Sequence, residues 1–438
     1  MKNSTNTLEY QWMPFTANRD FKDDPKLLVK GEGVYVWSHK GTKILDGSSG
    51  LFCTPLGHCR PEISEAVYAQ LKELDYTPHF QRGHPSSFEL AARVARLTPE
   101  GLNRVFFANS GSEAVDTAMK IAFSYHAARG DGQRHRFVSR ERAYHGVNMG
   151  GVSLSGLVKN REAFGPGLPG VFHMRHTHLP GHRFVRGQPP TGAELAEDLD
   201  RIASNYGSGT IAACFVEPIA GSTGALVPPV GYLQRLREIC DQHGILLVFD
   251  EVICGFGRTG SAFAAQEFDV KPDIMTMAKA LTNGAQPMGA VAVKEEIYET
   301  VVGSAAQDAV ELFHGYTYSG HPAACAAGIA TMEIFEKEKL FERAKATSPA
   351  FLDAMFALKD IPVITDMRGY GMLCGIDLAL KDRPGVRGHE VQKQLFEAGL
   401  HLKATGDTLL VAPPFIIEPA QIDELASVLR GVLSQQDV

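Results

Sequence analysis

The sequence predicts an α/β fold in which a large, mostly parallel sheet is covered by helices and accompanied by a smaller α+β lobe. Two observations support this prediction. Short β-rich runs alternate with helical patterns from about residue 104 to residue 295, and such alternation is typical of a parallel sheet with helices on both faces. The chain of 438 residues also exceeds the size at which one hydrophobic core keeps growing, so a large domain with smaller lobes is expected.

Composition narrows the class of protein. A hydrophobic fraction of 44% and a charged fraction of 21% are those of an ordinary globular chain. The net charge of -7 argues against a nucleic-acid partner, which needs a clustered basic face. Seven scattered cysteines without CxxC spacing indicate neither a disulfide scaffold nor a metal site. The chain has no signal-peptide pattern and no apolar run near the ~18 residues of a membrane span, so we expect a cytoplasmic protein without a membrane partner.

The predicted elements follow in chain order. The alternating residues 33–37 and the run 44–47 indicate a hairpin, and apolar spacing predicts helices over about 61–79 and 88–97. A further helix is predicted over 114–129. The stretch 175–190, rich in His, Pro, Gly and Arg, is predicted to be a loop because β/α alternation resumes after it. The strand candidates of the large sheet are 105–108, 136–139, 211–217, 245–250, 273–277 and 290–293.

The last part of the chain is predicted to form the smaller lobe. A long helical segment covers about 323–338, and strand candidates cover 371–378 and 408–412. We therefore predict three segments, in which residues 1–60 contribute to a small domain, residues 61–325 form the large α/β domain and residues 326–438 form a C-terminal α+β domain.

The run Ser110-Gly111-Ser112-Glu113 lies between a strand candidate and a helix. The backbone amides of Gly111 and Ser112 would point from the helix N-terminus toward a bound anion such as a phosphate. A helix cap explains the same residues, because Ser and Glu favour helix starts. Taken alone, the motif is explained more simply by the cap.

Two charged residues end apolar runs further along the chain. Asp250 follows five apolar residues and is drawn into a sheet interior, where an ionised carboxylate needs a cationic partner such as a protonated pyridine nitrogen. An ion pair with an arginine, or an exposed strand end, explains Asp250 equally well. Lys279 follows a strand-like run, where burial would lower its pKa and make its amine available for a Schiff base. A solvated loop lysine is the alternative.

Three other motifs in the sequence bear on its function. Residues 255–260 match GxGxxG, but residues 250–254 separate them from the strand, so we reject a nicotinamide dinucleotide site and interpret these glycines as a turn. Tyr144 follows a strand candidate, where its ring could lie on a flat heteroaromatic ring, although core packing is the commoner role. His145 alone carries no weight, because the Ser/His/Asp spacing and GxSxG elbow of a hydrolase are missing.

A pyridoxal phosphate enzyme needs three such features. They are an anion-binding helix N-terminus, an acid at the end of a buried strand and an amine after another apolar run. The sequence also resembles the class III, fold-type I aminotransferases, and within them the ω-amino acid:pyruvate (β-alanine:pyruvate) group. The resemblance spans nearly the whole chain, from Trp12 to the C-terminal lobe. Its most specific parts are Asp46-Gly47 with Gly57-His58, residues 109–113, Tyr144-His145-Gly146, Glu217-Pro218, Asp250-Glu251-Val252, Gly255-Phe256-Gly257-Arg258, Ala278-Lys279 and residues 314–322.

The resemblance implies a large seven-stranded sheet, pyridoxal 5′-phosphate as cofactor and roles for individual residues. Lys279 would carry the cofactor as a Schiff base, and Asp250 would hold the pyridinium proton. Val252 would back the ring while Tyr144 stacks on its other face, and Glu217 would orient the cofactor side of the pocket.

The same resemblance implies that residues from two subunits bind the phosphate of the cofactor. The phosphate would be bound by the run Ser110, Gly111 and Ser112, and by Thr317 from the neighbouring subunit. The resemblance therefore implies an obligate homodimer, or a tetramer built from it, with a shared active site.

The implied reaction moves the amino group of an ω-amino acid or primary amine to pyruvate, giving an aldehyde or ketone and L-alanine through pyridoxamine phosphate. The physiological donor stays open among β-alanine, γ-aminobutyrate, a diamine, an aminosulfonate and an arylalkyl amine. The competing interpretations are a class III mutase or racemase, which needs no keto acid, a non-catalytic binding protein on the same scaffold, and the rejected nicotinamide enzyme.

Two residues depart from the family pattern. Lys403 stands where the family usually has an arginine that grips a substrate carboxylate. A lysine offers a point charge rather than a planar fork, so we expect weaker and looser binding, unless Lys403 is merely exposed. Phe52 stands where relatives commonly have tryptophan, and its smaller ring leaves room for bulky or longer amines. Trp12 and Tyr144 complete the predicted substrate contacts.

Overall fold

The computed structural model describes residues 7–437. Its strands are β1 (Leu28–Glu32), β2 (Tyr35–Ser38), β3 (Lys43–Asp46), β4 (Arg104–Ala108), β5 (Arg136–Arg140), β6 (Val171–Met174), β7 (Ile211–Val216), β8 (Leu246–Asp250), β9 (Ile274–Met277), β10 (Gly289–Val293), β11 (Ile364–Tyr370), β12 (Leu373–Leu378), β13 (Leu400–His401), β14 (Lys403–Thr405) and β15 (Thr408–Val411).

The helices pack around these strands. They are α1 (Asn18–Asp23), α2 (Ser49–Phe52), α3 (Pro61–Glu73), α4 (Pro85–Leu97), α5 (Gly111–Ala128), α6 (Met149–Leu154), α7 (Val158–Arg161), α8 (Glu197–Tyr206), α9 (Tyr232–His243), α10 (Ala264–Glu267), α11 (Glu295–Val302), α12 (Pro322–Lys337), α13 (Leu340–Phe356), α14 (Val386–Glu397) and α15 (Pro419–Leu433).

The large sheet has seven strands in the order β4-β10-β9-β8-β7-β5-β6. Strand β10 runs antiparallel to both of its neighbours, whereas β9, β8, β7, β5 and β6 pair in parallel. The predicted α/β class with a mostly parallel sheet is therefore confirmed. All six predicted strands are present within one or two residues. The seventh, β6, was not predicted, because it is a short, half-buried edge strand with little apolar patterning.

Both faces of this sheet are covered, which explains why its central strands are apolar throughout. Along β7, Phe215 packs into one hydrophobic cluster, while its neighbours Cys214 and Val216 pack into the other. Val248 and Phe249 divide between the two clusters in the same way along β8. Alternate side chains of a strand point to opposite faces, so each central strand fills two cores.

Two four-stranded sheets lie outside the large one. Their orders are β1-β2-β3-β13 and β11-β12-β15-β14. The predicted hairpin is present as β2 and β3, and β13 pairs in parallel with β3. A strand from the C-terminal part of the chain thus completes a sheet begun by the N-terminal part.

Prolines explain the helix boundaries that differ from the prediction. Helix α4 begins at Pro85 and not at residue 88, since proline is favoured in the first turn. Helix α3 ends at Glu73 and not near residue 79, because Leu74 is extended and Thr77 precedes Pro78, where helical backbone is disfavoured. Among residues 7–437, every helix is too short or too polar to cross a membrane.

The strand directions determine where polar side chains can meet. Strands β5, β7, β8 and β9 run parallel, so their carboxyl ends lie at one edge of the sheet. Ligands of open α/β sheets bind outside this edge. Glu217 follows β7, Asp250 ends β8 and Lys279 lies two residues after β9.

Candidate active site

A cavity of about 460 Å³ opens at this edge of the sheet. It brings together side chains from segments that are far apart in sequence. Its walls include Phe15, Leu51, Phe52, Gly111, Ser112, Tyr144, His145, Glu217, Ser222, Asp250, Val252, Ile253, Lys279, Lys403 and Leu410. Most of the predicted site residues are therefore neighbours in space.

Asp250 is buried and paired with a histidine. Its Oδ2 lies 2.8 Å from Nδ1 of His145, and its Oδ1 accepts a hydrogen bond from the Val252 amide at 3.1 Å. Because a carboxylate only accepts hydrogen bonds, Nδ1 of His145 carries the proton. Both simple alternatives for Asp250 are wrong, since its partner is not an arginine and only 5% of the residue is exposed.

His145 was missed as a functional residue. Its importance comes from the long-range approach of the β5–α6 connection to the end of β8, which no local pattern reports. The signal in the sequence was its position directly after Tyr144, a few residues beyond β5 of the same sheet. Within residues 7–437, its buried Nε2 has no hydrogen-bond partner, so the ring has one polar function, toward Asp250.

Lys279 begins a short 3-10 helix, Lys279–Thr282, which is separated from β9 by Ala278. Its backbone is left-handed, with φ of 51°, and its side chain reaches the cavity wall. Burial lowers the pKa of Lys279, because the ammonium loses hydration, although nearby acidic groups such as Asp250 and Glu217 oppose the shift. A neutral amine is the reactive form of lysine, and the half-buried Lys279 lines the cavity instead of standing in a solvated loop.

Glu217 and Tyr144 form a second buried contact. Oε1 of Glu217 accepts a hydrogen bond from the Tyr144 amide at 2.9 Å, and the Glu217 carbonyl accepts one from Nη2 of Arg140 at 2.9 Å. Burial raises the pKa of Glu217 to about 7, with the nearby charge of Asp250 adding to the shift. Burial also raises the pKa of the Tyr144 phenol.

The start of α5 combines a helix cap with a cavity wall. The Ser110 hydroxyl accepts a hydrogen bond from the Glu113 amide at 3.2 Å, and the Glu113 carboxylate accepts one from the Asn109 amide at 2.7 Å. Ser110 therefore caps the helix, while Gly111 and Ser112 line the cavity. A β-carbon at Gly111 would lie 3.1 Å from the Val252 methyl groups, so glycine keeps this corner of the cavity open.

These residues suit pyridoxal phosphate. The amides at the N-terminus of α5 match a phosphate, the buried Asp250 carboxylate matches a protonated pyridine nitrogen, and the Lys279 amine matches an aldehyde carbon. Each of the three groups lines the same cavity. The donor set therefore fits the cofactor that the sequence predicts.

Two predicted substrate residues also line the cavity. Phe52 is 3% exposed and its backbone is left-handed, with φ of 62°. Lys403 lies on β14 and is half-buried, rather than exposed in the lobe. Burial alone lowers the pKa of Lys403.

Two predicted residues lie elsewhere. Trp12 is 90% exposed and is not part of the cavity wall, although Phe15 from the same segment is. Thr317 is exposed, and its carbonyl accepts a hydrogen bond from the Tyr76 hydroxyl at 3.0 Å. Neither residue reaches the cavity of its own chain.

Comparisons with known proteins agree with this geometry. Residues 18–433 match the family described as aminotransferase class-III. The chain is 50% identical over 436 residues to an omega-aminotransferase of Caulobacter vibrioides, covering 99% of each chain. It is 47% identical over 430 residues to a beta-alanine–pyruvate aminotransferase of Pseudomonas aeruginosa, covering 98% of this chain and 96% of the relative.

A solved structure extends the agreement to three dimensions. The omega transaminase from Pseudomonas jessenii in complex with PMP is 30% identical, superposes with a TM-score of 0.91 and covers 98% of each chain. These relatives give no support to the alternative of a mutase or racemase. The chain therefore belongs to the class III aminotransferases and is an aminotransferase that uses pyridoxal phosphate to act on amine and keto-acid substrates.

Proposed function

We propose that this enzyme moves the amino group of an ω-amino acid such as β-alanine, or of a simple primary amine, to pyruvate, giving an aldehyde or ketone and L-alanine in a ping-pong reaction. The observation that carries the proposal is the single cavity lined by Lys279, Asp250 and the N-terminus of α5. The names of the two relatives, omega-aminotransferase and beta-alanine–pyruvate aminotransferase, support this donor class and this acceptor.

Each residue of the cavity has a separate role in the reaction. Bound pyridoxal phosphate supplies an electron sink for the pair left when a carbon–hydrogen bond of the amine breaks. Nζ of Lys279, whose pKa burial lowers, takes up that proton and returns it. Asp250 holds the proton of the pyridine nitrogen, because donors from His145 and Val252 stabilise its buried charge. The amides of Gly111 and Ser112 bind the phosphate.

Lys403 and Phe52 set the substrate side of the cavity. We assign the carboxylate of the keto acid to Lys403, since it is the lysine that faces the cavity from the C-terminal lobe. A point charge holds a carboxylate less rigidly than a guanidinium fork does. Substitution of Lys403 by Ala should raise the KM for pyruvate and leave the KM for an amine without a carboxylate unchanged. An unchanged pyruvate KM would remove this role.

The same proposal includes a homodimer that shares its active sites. Thr317 is exposed and does not line the cavity of its own chain, which suits a residue that serves the neighbouring subunit. Large apolar side chains in the same region are also exposed, namely Phe80, Phe88, Phe313 and Tyr318, as expected of a surface covered by another chain. The cytoplasmic location stays a prediction from the sequence.

A panel of amino donors with pyruvate, measured as alanine formed by the purified holoenzyme, tests the function. We expect turnover with β-alanine or with simple amines, and none when pyruvate is omitted. Conversion of an amino substrate without any keto acid would instead indicate a mutase or racemase. The Lys279→Ala variant should lose both the visible absorbance of the bound cofactor and the turnover, and retention of both would refute the proposal.

A further inference from the structure

Asn283 joins the 3-10 helix Lys279–Thr282 to the segment that carries Phe52. Asn283 directly follows that helix and is 5% exposed. Its Oδ1 accepts a hydrogen bond from the Leu56 amide at 3.0 Å, and its Nδ2 donates one to the Gly57 carbonyl at 2.9 Å. One side chain therefore uses both ends of its amide to hold a segment more than 220 residues away in sequence.

The backbone on each side of this contact is held in an unusual conformation. Lys279 and Asn283 both have φ of 51°, while Ser49 and Phe52 have φ of 48° and 62°. Left-handed backbone is unfavourable for residues with a β-carbon and persists only where the surroundings hold it. Asparagine tolerates this conformation better than most residues, which suits position 283 at the end of the turn.

Packing adds to the hydrogen bonds. A β-carbon placed on Gly284 would lie 3.0 Å from Cβ of Cys53, so the Asn283-Gly284 pair fits closely against the residue next to Phe52. The Phe52 side chain has no polar group of its own that could fix its place in the cavity wall. The two hydrogen bonds of Asn283 are buried, and breaking them leaves a peptide N–H and C=O without partners.

We propose that Asn283 is a positioning residue that holds the Phe52 wall against the turn of Lys279 and thereby sets how large an amine the cavity accepts. The inference rests on the proposed function, because it concerns the donor side of the same cavity. It adds a residue that does not line the cavity and acts through the two segments that do.

Thiol labelling tests the contact without any turnover. Glycine adopts positive φ freely, so Asn283→Gly keeps the turn and removes both hydrogen bonds. In cofactor-free protein, alkylation of the half-buried Cys53 by iodoacetamide, mapped by mass spectrometry, should become about tenfold faster, since labelling follows local opening. The exposed Cys59 serves as the internal standard.

Donor preference tests the consequence. With pyruvate as acceptor, the ratio of kcat/KM for 1-phenylethylamine to that for β-alanine should rise about fivefold in Asn283→Gly, because a looser wall admits the ring. The control is Gln234→Ala on α9, which removes the hydrogen bond that Nε2 of Gln234 donates to the Phe268 carbonyl, outside the cavity. Unchanged labelling and preference in Asn283→Gly, or equal changes in the control, would overturn the proposal. The labelling result stands even if the donor panel contradicts the proposed function.

Discussion

At the scale of single residues, the charge of Asp250 depends on two donors. A buried carboxylate is stable only when hydrogen bonds replace its hydration, and here His145 reaches one oxygen while the Val252 amide reaches the other. The amide belongs to the backbone, whereas the histidine side chain can be replaced with the backbone unchanged. A substitution of His145 therefore changes how well the charge of Asp250 is stabilised without altering Asp250 itself.

Replacing His145 by Phe should weaken cofactor binding by about thirtyfold, because a hydrogen bond to a buried charge contributes about 2 kcal/mol, and should also lower kcat. Titration of the apoprotein with pyridoxal phosphate, followed by absorbance, measures the affinity. His145→Asn is the matched control, since its amide can still donate to Asp250. Equal losses in the two variants would show that the ring matters only for packing.

Glu217 makes stability depend on pH in an identifiable direction. Its folded pKa of about 7 lies above the ordinary value of 4.5, so the folded state binds the proton more tightly. The resulting stabilisation is complete below pH 4.5 and is lost as pH rises to about 7, a difference of about 3 kcal/mol. In cofactor-free protein, Glu217→Gln should match the parent in Tm near pH 4.5 and exceed it near pH 8. Parallel Tm curves would contradict this assignment.

At the scale of elements, α5 performs two tasks with adjacent residues. Ser110 caps the helix, while Gly111 and Ser112 line the cavity. The capping and anion-binding interpretations are thus compatible, because the four free amides of a helix start can be divided between a side chain and a ligand. The sequence presents both tasks in one motif, and only the fold assigns each residue to its task.

This division can be measured. Ser110→Ala should lower the free energy of unfolding of the apoprotein by about 1 kcal/mol, as the loss of an N-cap does, with little effect on cofactor affinity. Ser112→Asp should reduce affinity for pyridoxal phosphate more than it reduces stability, because it keeps the amide but places a second negative charge where the phosphate binds at the start of α5. Chemical denaturation and absorbance titration of both variants give the comparison. The opposite ranking would place Ser110, rather than Ser112, at the phosphate.

At the scale of the whole molecule, the sequence predicted the elements that have a local apolar pattern. It did not predict the contacts between segments that are distant in sequence. Buried strands such as β7 and β8 are recognisable as apolar runs in the sequence. The polar residues at their ends were predicted because they interrupt those runs. The short edge strand β6 and the pairing of β13 with β3 depend on distant partners, so local pattern could not predict them. The division into residues 1–60, 61–325 and 326–438 stays a prediction.

The shared active site is the largest-scale prediction, and mixed dimers test it. If Thr317 serves the neighbouring subunit, Lys279→Ala and Thr317→Glu homodimers should both be nearly inactive. After unfolding and joint refolding, half of randomly mixed dimers are hybrids with one intact site of two, so about one quarter of the parent activity should return. Mixing Lys279→Ala with Asp250→Ala is the control, because each of those sites is damaged within its own chain. Hybrids that form, as seen by native mass spectrometry, yet recover no activity would place Thr317 outside the neighbour's site.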